Sequence, residues 1–257
     1  MTPLATSAIL LRRRDYGDYD LIVTFFTQSQ GKVSLIAKAA KKSARRFAGV
    51  LELFSEVDII AASGRRSGLP VLQEAALKQP FAQIRVLPTR IAYASYWSEL
   101  VDVWMEDHVT QTELYRLLLH VLRELDQGVT SEAVLSVLFQ MRLLRISGHS
   151  PNLELCGICR KAVDAVRPNV LGVDVAKGGI ACLGCLPRSP DGPHLSKGTI
   201  KQLQWIADGD LPRATRIRFS PVAVSEALRF LESFVPYHLG RQPRSLSVLR
   251  QLRGNLP

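Results

Sequence analysis

The first 80 residues alternate short apolar runs with turn-forming residues. Five runs rich in β-branched and aromatic side chains cover positions 8–14, 20–27, 32–39, 51–61 and 69–77. Segments rich in glycine, serine and aspartate separate them, as is typical of turns between strands. This pattern predicts a five-stranded OB-type β-barrel, although strand count alone leaves other small barrels open.

Beyond residue 80 the apolar repeat changes from two residues to about 3.6, which indicates helices and a domain boundary. Three helices are predicted before the first cysteine, around residues 97–104, 110–125 and 134–144. Thr110 and Glu113 have the spacing of a capping box at the start of the second helix. Gly148 and Pro151 should end the third.

Helical spacing returns after a loop rich in proline and glycine at residues 187–193. Two apolar stretches, 200–206 and 224–235, predict helices, and Pro236 should end the second because proline lacks a backbone donor. A short basic helix is predicted at 245–253. No apolar run approaches the roughly 18 residues needed to cross a bilayer, so we expect a cytosolic protein with no membrane partner.

All four cysteines lie within thirty residues, as two Cys-x-x-Cys pairs separated by 22 residues. Four thiolates in this layout predict a closed tetrahedral zinc site, with glycine in each knuckle allowing backbone amides to approach the sulfurs. A closed shell leaves no position for water or substrate, so the metal should be structural. The predicted ligands are Cys156, Cys159, Cys182 and Cys185.

Two disulfides and a thioredoxin-like redox pair are the alternatives to zinc. Disulfide scaffolds are usually short and secreted, and redox pairs use one Cys-x-x-Cys beside a βαβ pattern. A thirty-residue segment also buries too little apolar surface to fold alone, whereas zinc binding contributes on the order of 10 kcal/mol in such peptides. Structural zinc is therefore the favoured interpretation.

These segments give an α+β fold class and a domain plan. We predict an N-terminal OB-fold domain at 1–80, followed by a helical domain at 81–152 and 197–257. A zinc-finger insertion with four cysteine ligands, together with its loop, occupies 153–196.

The chain carries a formal net charge of +10, which predicts an anionic partner, most often nucleic acid. The charge is uneven, with +5 over residues 1–80, −2 over 81–150, +1 over 151–196 and +6 over 197–257. A polyanion should therefore lie against the N-terminal and C-terminal parts. The acidic middle is better suited to packing or to protein partners.

Residues 21–51 contain no acid, and no local carboxylate can neutralise their cations. On the strand pattern, positions 41–46 form a loop after the third strand, where long side chains reach phosphates. The predicted phosphate-binding residues are Lys32, Lys38, Lys41, Lys42, Arg45 and Arg46. A second candidate surface near the C terminus includes Arg241 and Arg244. Arginines near helix ends can alternatively bind the free carbonyl groups there or cover apolar faces with their side chains.

Three phenylalanines near these cations, Phe25, Phe26 and Phe47, are candidates for stacking on unpaired bases, although aromatics at strand spacing are more often core. Catalytic motifs are not evident. The five histidines are scattered, and Gly31-Lys32 lacks the rest of a P-loop. We therefore predict a binding protein and not an enzyme, with a zinc-dependent nucleic-acid enzyme as the least favoured alternative.

Several strings follow one another in a specific order: residues 6–11 leading into 14–20, Gly31-Lys32-Val33-Ser34 with Ala37-Lys38, Tyr96-Trp97-Ser98-Glu99-Leu100, Arg142-Leu143-Leu144, residues 148–153 with the first cysteine pair, and His238-Leu239-Gly240. In this order they resemble the RecO family of bacterial recombination mediators over nearly the whole chain. In one departure, Ala39 and Ala40 follow Lys38, where the family usually has glycine.

The resemblance implies a nucleoid-associated bacterial protein that binds single- and double-stranded DNA and anneals complementary strands. It also implies work with RecR and single-strand-binding protein to help RecA load onto coated DNA. Some family members lack the cysteines, in agreement with a structural metal. An RNA- or ribosome-associated protein with an OB fold and a zinc ribbon is the alternative that the same cations allow.

Overall fold

The computed structural model describes residues 4–43, 46–62, 68–186 and 192–254. The chain divides into two compact units. The first comprises Met1–Gln127 and Pro243–Pro257, and the second comprises Gly128–Gln242. The predicted α+β class is confirmed, with a five-stranded barrel at the N terminus and helices after it. The domain boundaries predicted from the sequence stay a prediction.

Five strands close the barrel in the order β1-β2-β3-β5-β4. They are β1 (Leu4–Tyr16), β2 (Asp20–Thr27), β3 (Gly31–Ala37), β4 (Glu56–Ala62) and β5 (Val71–Gln79). Every pairing is antiparallel except that of β3 with β5. Alternation is clearest in β3, where every second residue is buried. The inward residues of all five strands form one apolar core that includes Leu10, Phe25 and Ile59.

The fourth strand begins later than predicted, at Glu56 instead of residue 51. Phe54 adopts a left-handed conformation with φ 73°, which breaks an extended strand. Its N–H donates to the carbonyl of Leu10 at 2.9 Å, and the N–H of Leu10 donates to the carbonyl of Ser55 at 3.1 Å. Residues 51–55 therefore pack their apolar side chains as a loop against β1.

Three helices complete the first unit: α1 (Pro88–Trp104), α2 (Thr112–Gln127) and α7 (Arg244–Gly254). The ring of Phe26 on the outer face of β2 lies 6.1 Å from that of Tyr115 on α2, which explains why β2 is buried on both faces. The capping box predicted at Thr110 does not form, because α2 begins at Thr112 and the Thr110 hydroxyl donates to the carbonyl of Ser29.

The second unit contains α3 (Glu132–Ile146), α4 (Lys197–Asp208), α5 (Leu211–Thr215) and α6 (Pro221–Leu239). A small antiparallel sheet, β7-β6-β8, lies between α3 and α4 in the chain. Its strands are β6 (Val170–Asp174), β7 (Gly179–Ala181) and β8 (His194–Ser196). Pro236 was predicted to end α6 but lies inside it, and the helix ends at Gly240 with φ 71°. Across the described ranges, every helix is too short or too polar to cross a membrane.

Candidate nucleic-acid interface and metal centre

The basic loop, residues 38–46, is attached to the tip of the β1–β2 hairpin, residues 16–20. The N–H of Ala39 donates to Asp20 Oδ1 at 2.7 Å, and the N–H of Lys41 donates to the carbonyl of Tyr19 at 3.1 Å. Lys41 Nζ also lies 2.9 Å from a carboxylate oxygen of Asp15. These contacts place the loop and the hairpin tip on one continuous surface.

Four cations of the basic loop that the structure describes are exposed, and we refer to them as the loop cations: Lys38, Lys41, Lys42 and Arg46. Two of them lie over aromatic rings. Lys42 Nζ is 3.4 Å from the ring centroid of Tyr19, and Arg46 Cζ is 5.0 Å from that of Phe47. Cation–π contacts hold the charges in place without neutralising them. Arg45 lies outside the described residues.

Lys32 is separated from the loop cations by the length of β3, roughly 20 Å. Its side chain is only 14% exposed, and its Nζ lies 3.7 Å from Asp102 and 3.3 Å from Asp107. It also donates to the Asp102 carbonyl at 2.6 Å. No carboxylate lies within residues 21–51, as the sequence shows, but acids outside that stretch pair with Lys32 and with Lys41. The acids come from distant positions that local sequence does not reveal.

Arg241 and Arg244 are both exposed, but they belong to different compact units. Arg244 is the first residue of α7, and Glu99 accepts hydrogen bonds at that helix start. The N–H groups of Arg244 and Ser245 donate to the Glu99 carboxylate at 3.0 and 2.8 Å. An acid at a helix N terminus is favourable, so Glu99 orders the segment that presents the Arg244 side chain.

The three phenylalanines proposed for base stacking are buried, with exposed fractions of 0% for Phe25, 0% for Phe26 and 4% for Phe47. That hypothesis is wrong, because all three rings pack into the interior. The exposed aromatics of this surface are Tyr16 and Tyr19 at the hairpin tip. Their position on either side of the Gly17-Asp18 turn is the sequence feature that could have indicated exposure, because side chains at the end of a hairpin lie away from the barrel core.

A cavity of about 650 Å³ opens beside the basic loop. The end of β1 and the loop after β3 line the cavity with basic and acidic side chains, including Arg13, Arg14, Lys41 and Glu52. Arg13 donates to the Leu51 carbonyl at 2.7 Å and to Glu52 Oε1 at 3.1 Å.

The four predicted cysteine ligands come together in the second unit. Their sulfur atoms all lie within 4.8 Å of one another, and those of Cys159 and Cys182 are 3.8 Å apart. Tetrahedral Zn–S bonds of about 2.3 Å require sulfur atoms about 3.8 Å apart. Among the described residues, no other group of three or more His, Cys, Asp or Glu side chains can share an ion. The cluster can therefore hold a metal ion.

Two tight turns present these sulfurs. In the first, the N–H of Arg160 donates to the Cys156 carbonyl at 3.0 Å, and Arg160 itself has φ 61°. In the second, the N–H of Cys185 donates to the Cys182 carbonyl at 2.9 Å. The N–H of Gly157 donates to the Ile180 carbonyl at 2.8 Å, which ties the first turn to β7. Each Cys-x-x-Cys pair is thus a hydrogen-bonded knuckle.

The close spacing of the four thiols and the backbone N–H groups around them change the pKa values of the cysteines. Burial by itself raises the pKa of Cys156, but backbone N–H groups of Cys159, Cys182 and Ile158 outweigh it and lower the pKa to about 6. Burial and the sulfurs of Cys156 and Cys159 raise the pKa of Cys182 to about 12. Amide donors thus favour the Cys156 thiolate, and a bound cation would lower the raised pKa values of Cys182 and Cys185.

Together, the barrel, the helices and the cysteine cluster define the class: an OB-type barrel protein with a helical part and a centre able to hold a metal ion. Comparison with known families narrows that class. Residues 1–81 match the family model described as Recombination protein O N terminal, and residues 87–247 match the one described as Recombination protein O C terminal. The chain therefore belongs to the RecO family.

Curated relatives match over almost the full length. A protein of Desulfatibacillum aliphaticivorans named DNA repair protein RecO is 43% identical, with 98% of each chain covered. Proteins of the same name are 40% identical in Desulfosudis oleivorans, covering 98% of this chain and 99% of the relative, and 34% identical in Syntrophus aciditrophicus, covering 96% and 95%. The resemblance stated from sequence strings is confirmed.

Proposed function

We propose that this protein is a DNA-binding mediator of recombination and repair that binds single- and double-stranded DNA and anneals complementary strands. The observation that carries the proposal is the surface formed by the basic loop and the hairpin tip, where exposed cations are fixed in place by backbone contacts and aromatic rings. Membership of the RecO family and the names of its relatives support the same role.

The partners that we propose are RecR and single-strand-binding protein, with RecA affected indirectly through loading onto coated DNA. A bacterial protein acting on the chromosome would work in the cytoplasm, at the nucleoid. We further propose a binding role without catalysis, since annealing requires charge neutralisation and alignment of two strands, and no covalent bond is made or broken.

We propose that Cys156, Cys159, Cys182 and Cys185 hold one structural Zn²⁺ per chain. The sulfur spacing and the two hydrogen-bonded knuckles support this choice, because all-thiolate tetrahedral sites favour zinc. Four protein ligands would leave no open position on the ion. The metal would therefore stabilise the fold of residues 153–186 and take no part in contacts with DNA.

The DNA-binding proposal is tested by the salt dependence of affinity for single strands. If four to six phosphates are contacted, the slope of log affinity against log salt should be about −3 to −4. Replacing all four loop cations by glutamine should bring the slope about 2 closer to zero, because Lys41 already pairs with Asp15 and each of the other three lost phosphate contacts removes roughly 0.7. Arg45, in the same loop, is an additional target for this substitution.

Two comparisons give the test its controls. Lys201 is an exposed cation of the second unit, and Lys201→Gln should leave the slope unchanged. Lys32→Met should also leave it unchanged, because the Lys32 ammonium already pairs with Asp102 and Asp107. Arg241→Gln with Arg244→Gln tests the second proposed contact, where we expect a change of about 1.4.

An unchanged slope after removal of all four loop cations would contradict the surface assignment. Strand-annealing rates measured on the same variants should fall in parallel with affinity. A competition experiment in which RNA displaces DNA strongly would instead favour an RNA-associated role.

A further inference from the structure

We propose that Tyr16 and Tyr19 form a stacking platform for unpaired nucleobases and give the protein a preference for single strands over duplex. This inference rests on the DNA-binding role proposed above and assigns a specificity function to two side chains of the same surface. The loop cations would bind the phosphates, which are common to single and double strands. The tyrosines would bind the bases, which are accessible only when unpaired.

Exposure is the first argument for the platform. The side chains of Tyr16 and Tyr19 are 52% and 47% exposed, although tyrosine usually buries its ring. They lie on either side of the turn at Gly17, which has φ 57°, so the backbone directs both residues to the end of the hairpin. In the strand register Tyr16 pairs with Asp20, the neighbour of Tyr19. Two rings are therefore presented together at one tip.

The position of the rings among cations is the second argument. Lys42 lies against the Tyr19 ring, and the N–H of Lys41 donates to the Tyr19 carbonyl. A strand whose phosphates reach the loop cations therefore brings its bases to the tyrosines. Cationic grooves lined by aromatic rings are the usual arrangement of single-strand binding sites.

The acids at the hairpin tip and the adjacent Asp15 do not prevent bases from reaching the tyrosines. Asp15 pairs with Lys41 at 2.9 Å, and Asp20 accepts the N–H of Ala39 at 2.7 Å. Both carboxylates serve to fix the basic loop, so their charge is directed at protein groups. Asp18 is the remaining acid of the tip, within a surface that also includes four exposed cations.

The experiment measures the affinities of Tyr16→Ala/Tyr19→Ala for an oligo-dT strand and for a duplex of equal length. Affinity for the single strand should fall at least about fivefold, whereas affinity for the duplex should change less than about twofold. The salt slope should stay that of the wild type, because the phosphate contacts remain. Tyr16→Phe/Tyr19→Phe should bind both substrates as the wild type does, since stacking needs the ring and not the hydroxyl.

Tyr237→Ala is the matched control, because Tyr237 is 52% exposed but lies on α6 in the other unit. It should leave both affinities unchanged. A direct readout is the fluorescence of one 2-aminopurine placed in the oligo-dT strand. Quenching on binding should occur with the wild type and with the phenylalanine variant and be lost with the alanine variant.

Single-strand affinity equal to that of the wild type in the alanine variant, or an equal loss on single strands and duplex, would overturn the platform. Failure of the wider proposal has a different signature. In that case the wild type would bind DNA without the salt dependence expected for the loop cations. Unchanged circular dichroism of the alanine variant would establish that a lost affinity does not reflect unfolding, and the phenylalanine variant provides the second comparison.

Discussion

The β-barrel and the cysteine module, residues 152–186, are stabilised in different ways. Every barrel strand is paired on both sides, and the inward side chains of all five strands form one apolar core. The cysteine module has only short strands and few buried apolar side chains apart from Cys156, which are Leu153, Val163, Val166, Leu171, Ile180 and Ala181. Its four cysteines form a cluster that links its two knuckles.

This difference determines what each region responds to. Burial of apolar area stabilises the barrel, so its stability should depend on side-chain volume and be indifferent to chelators. The module buries too little apolar surface to offset the conformational entropy of ordering its loops. Its stability should therefore depend on the metal ion proposed for its four cysteines.

The largest expected effect is that of removing the metal. Cys156→Ser, or chelation of the wild type, should remove free energy on the order of 10 kcal/mol from the module and unfold it. Limited proteolysis should then cut within residues 152–186, while hydrogen exchange of the barrel amides stays slow. Ile158→Ala is the matched control, because this exposed residue lies in the same knuckle and offers no ligand atom. A metal-free Cys156→Ser protein that resists protease would contradict the prediction.

The complementary change removes apolar volume from the barrel. Phe25 is fully buried in the barrel core, and Phe25→Ala should lower the free energy of barrel unfolding by about 3–5 kcal/mol. Hydrogen exchange at β1 to β3 measures this loss, and metal content should stay at that of the wild type. Phe25→Leu should cost less than about 1.5 kcal/mol, because most of the volume is kept. Equal effects of both substitutions would show that the core is not tightly packed at this position.

The same contrast explains how much of the fold could be predicted. Regular repeats identified the five barrel strands and the longer helices, because these elements bury one face of a periodic pattern. The five-residue α5 is too short to show a helical repeat and was not predicted. β7 and β8 have three residues each and show no period that could be recognised. The prediction that Pro236 ends α6 was wrong, because a proline removes only one backbone donor. The helix tolerates this loss near its end and continues for about one further turn.

At the candidate sites, features that depend on neighbouring residues in the sequence could be predicted. Contacts between distant residues could not. Cysteine spacing alone identified the sulfurs that come together, since chelation requires that spacing. The run of cations was also visible in the sequence. The pairing of Lys32 with Asp102 and Asp107 was not, because it joins positions about 70 residues apart. Exposure of Tyr16 and Tyr19 likewise depends on where the hairpin extends beyond the barrel.

The smallest effect is expected for Ala39→Gly, which removes backbone strain at the point where the basic loop begins. Ala39 has φ 54°, a left-handed conformation that costs an alanine about 1–2 kcal/mol and costs glycine almost nothing. Glycine also adds about 0.5–1 kcal/mol of unfolded-state entropy, so Ala39→Gly should raise barrel stability by up to about 1 kcal/mol. Ala37→Gly, two residues earlier in a buried strand, should instead lower it by about 1 kcal/mol or more.

Thermal melting of the two variants should therefore shift in opposite directions. Since glycine keeps the backbone N–H that Ala39 donates to Asp20, the salt slope for DNA should not change. A lower melting temperature for Ala39→Gly would mean that the contacts between loop and hairpin already compensate for the strain.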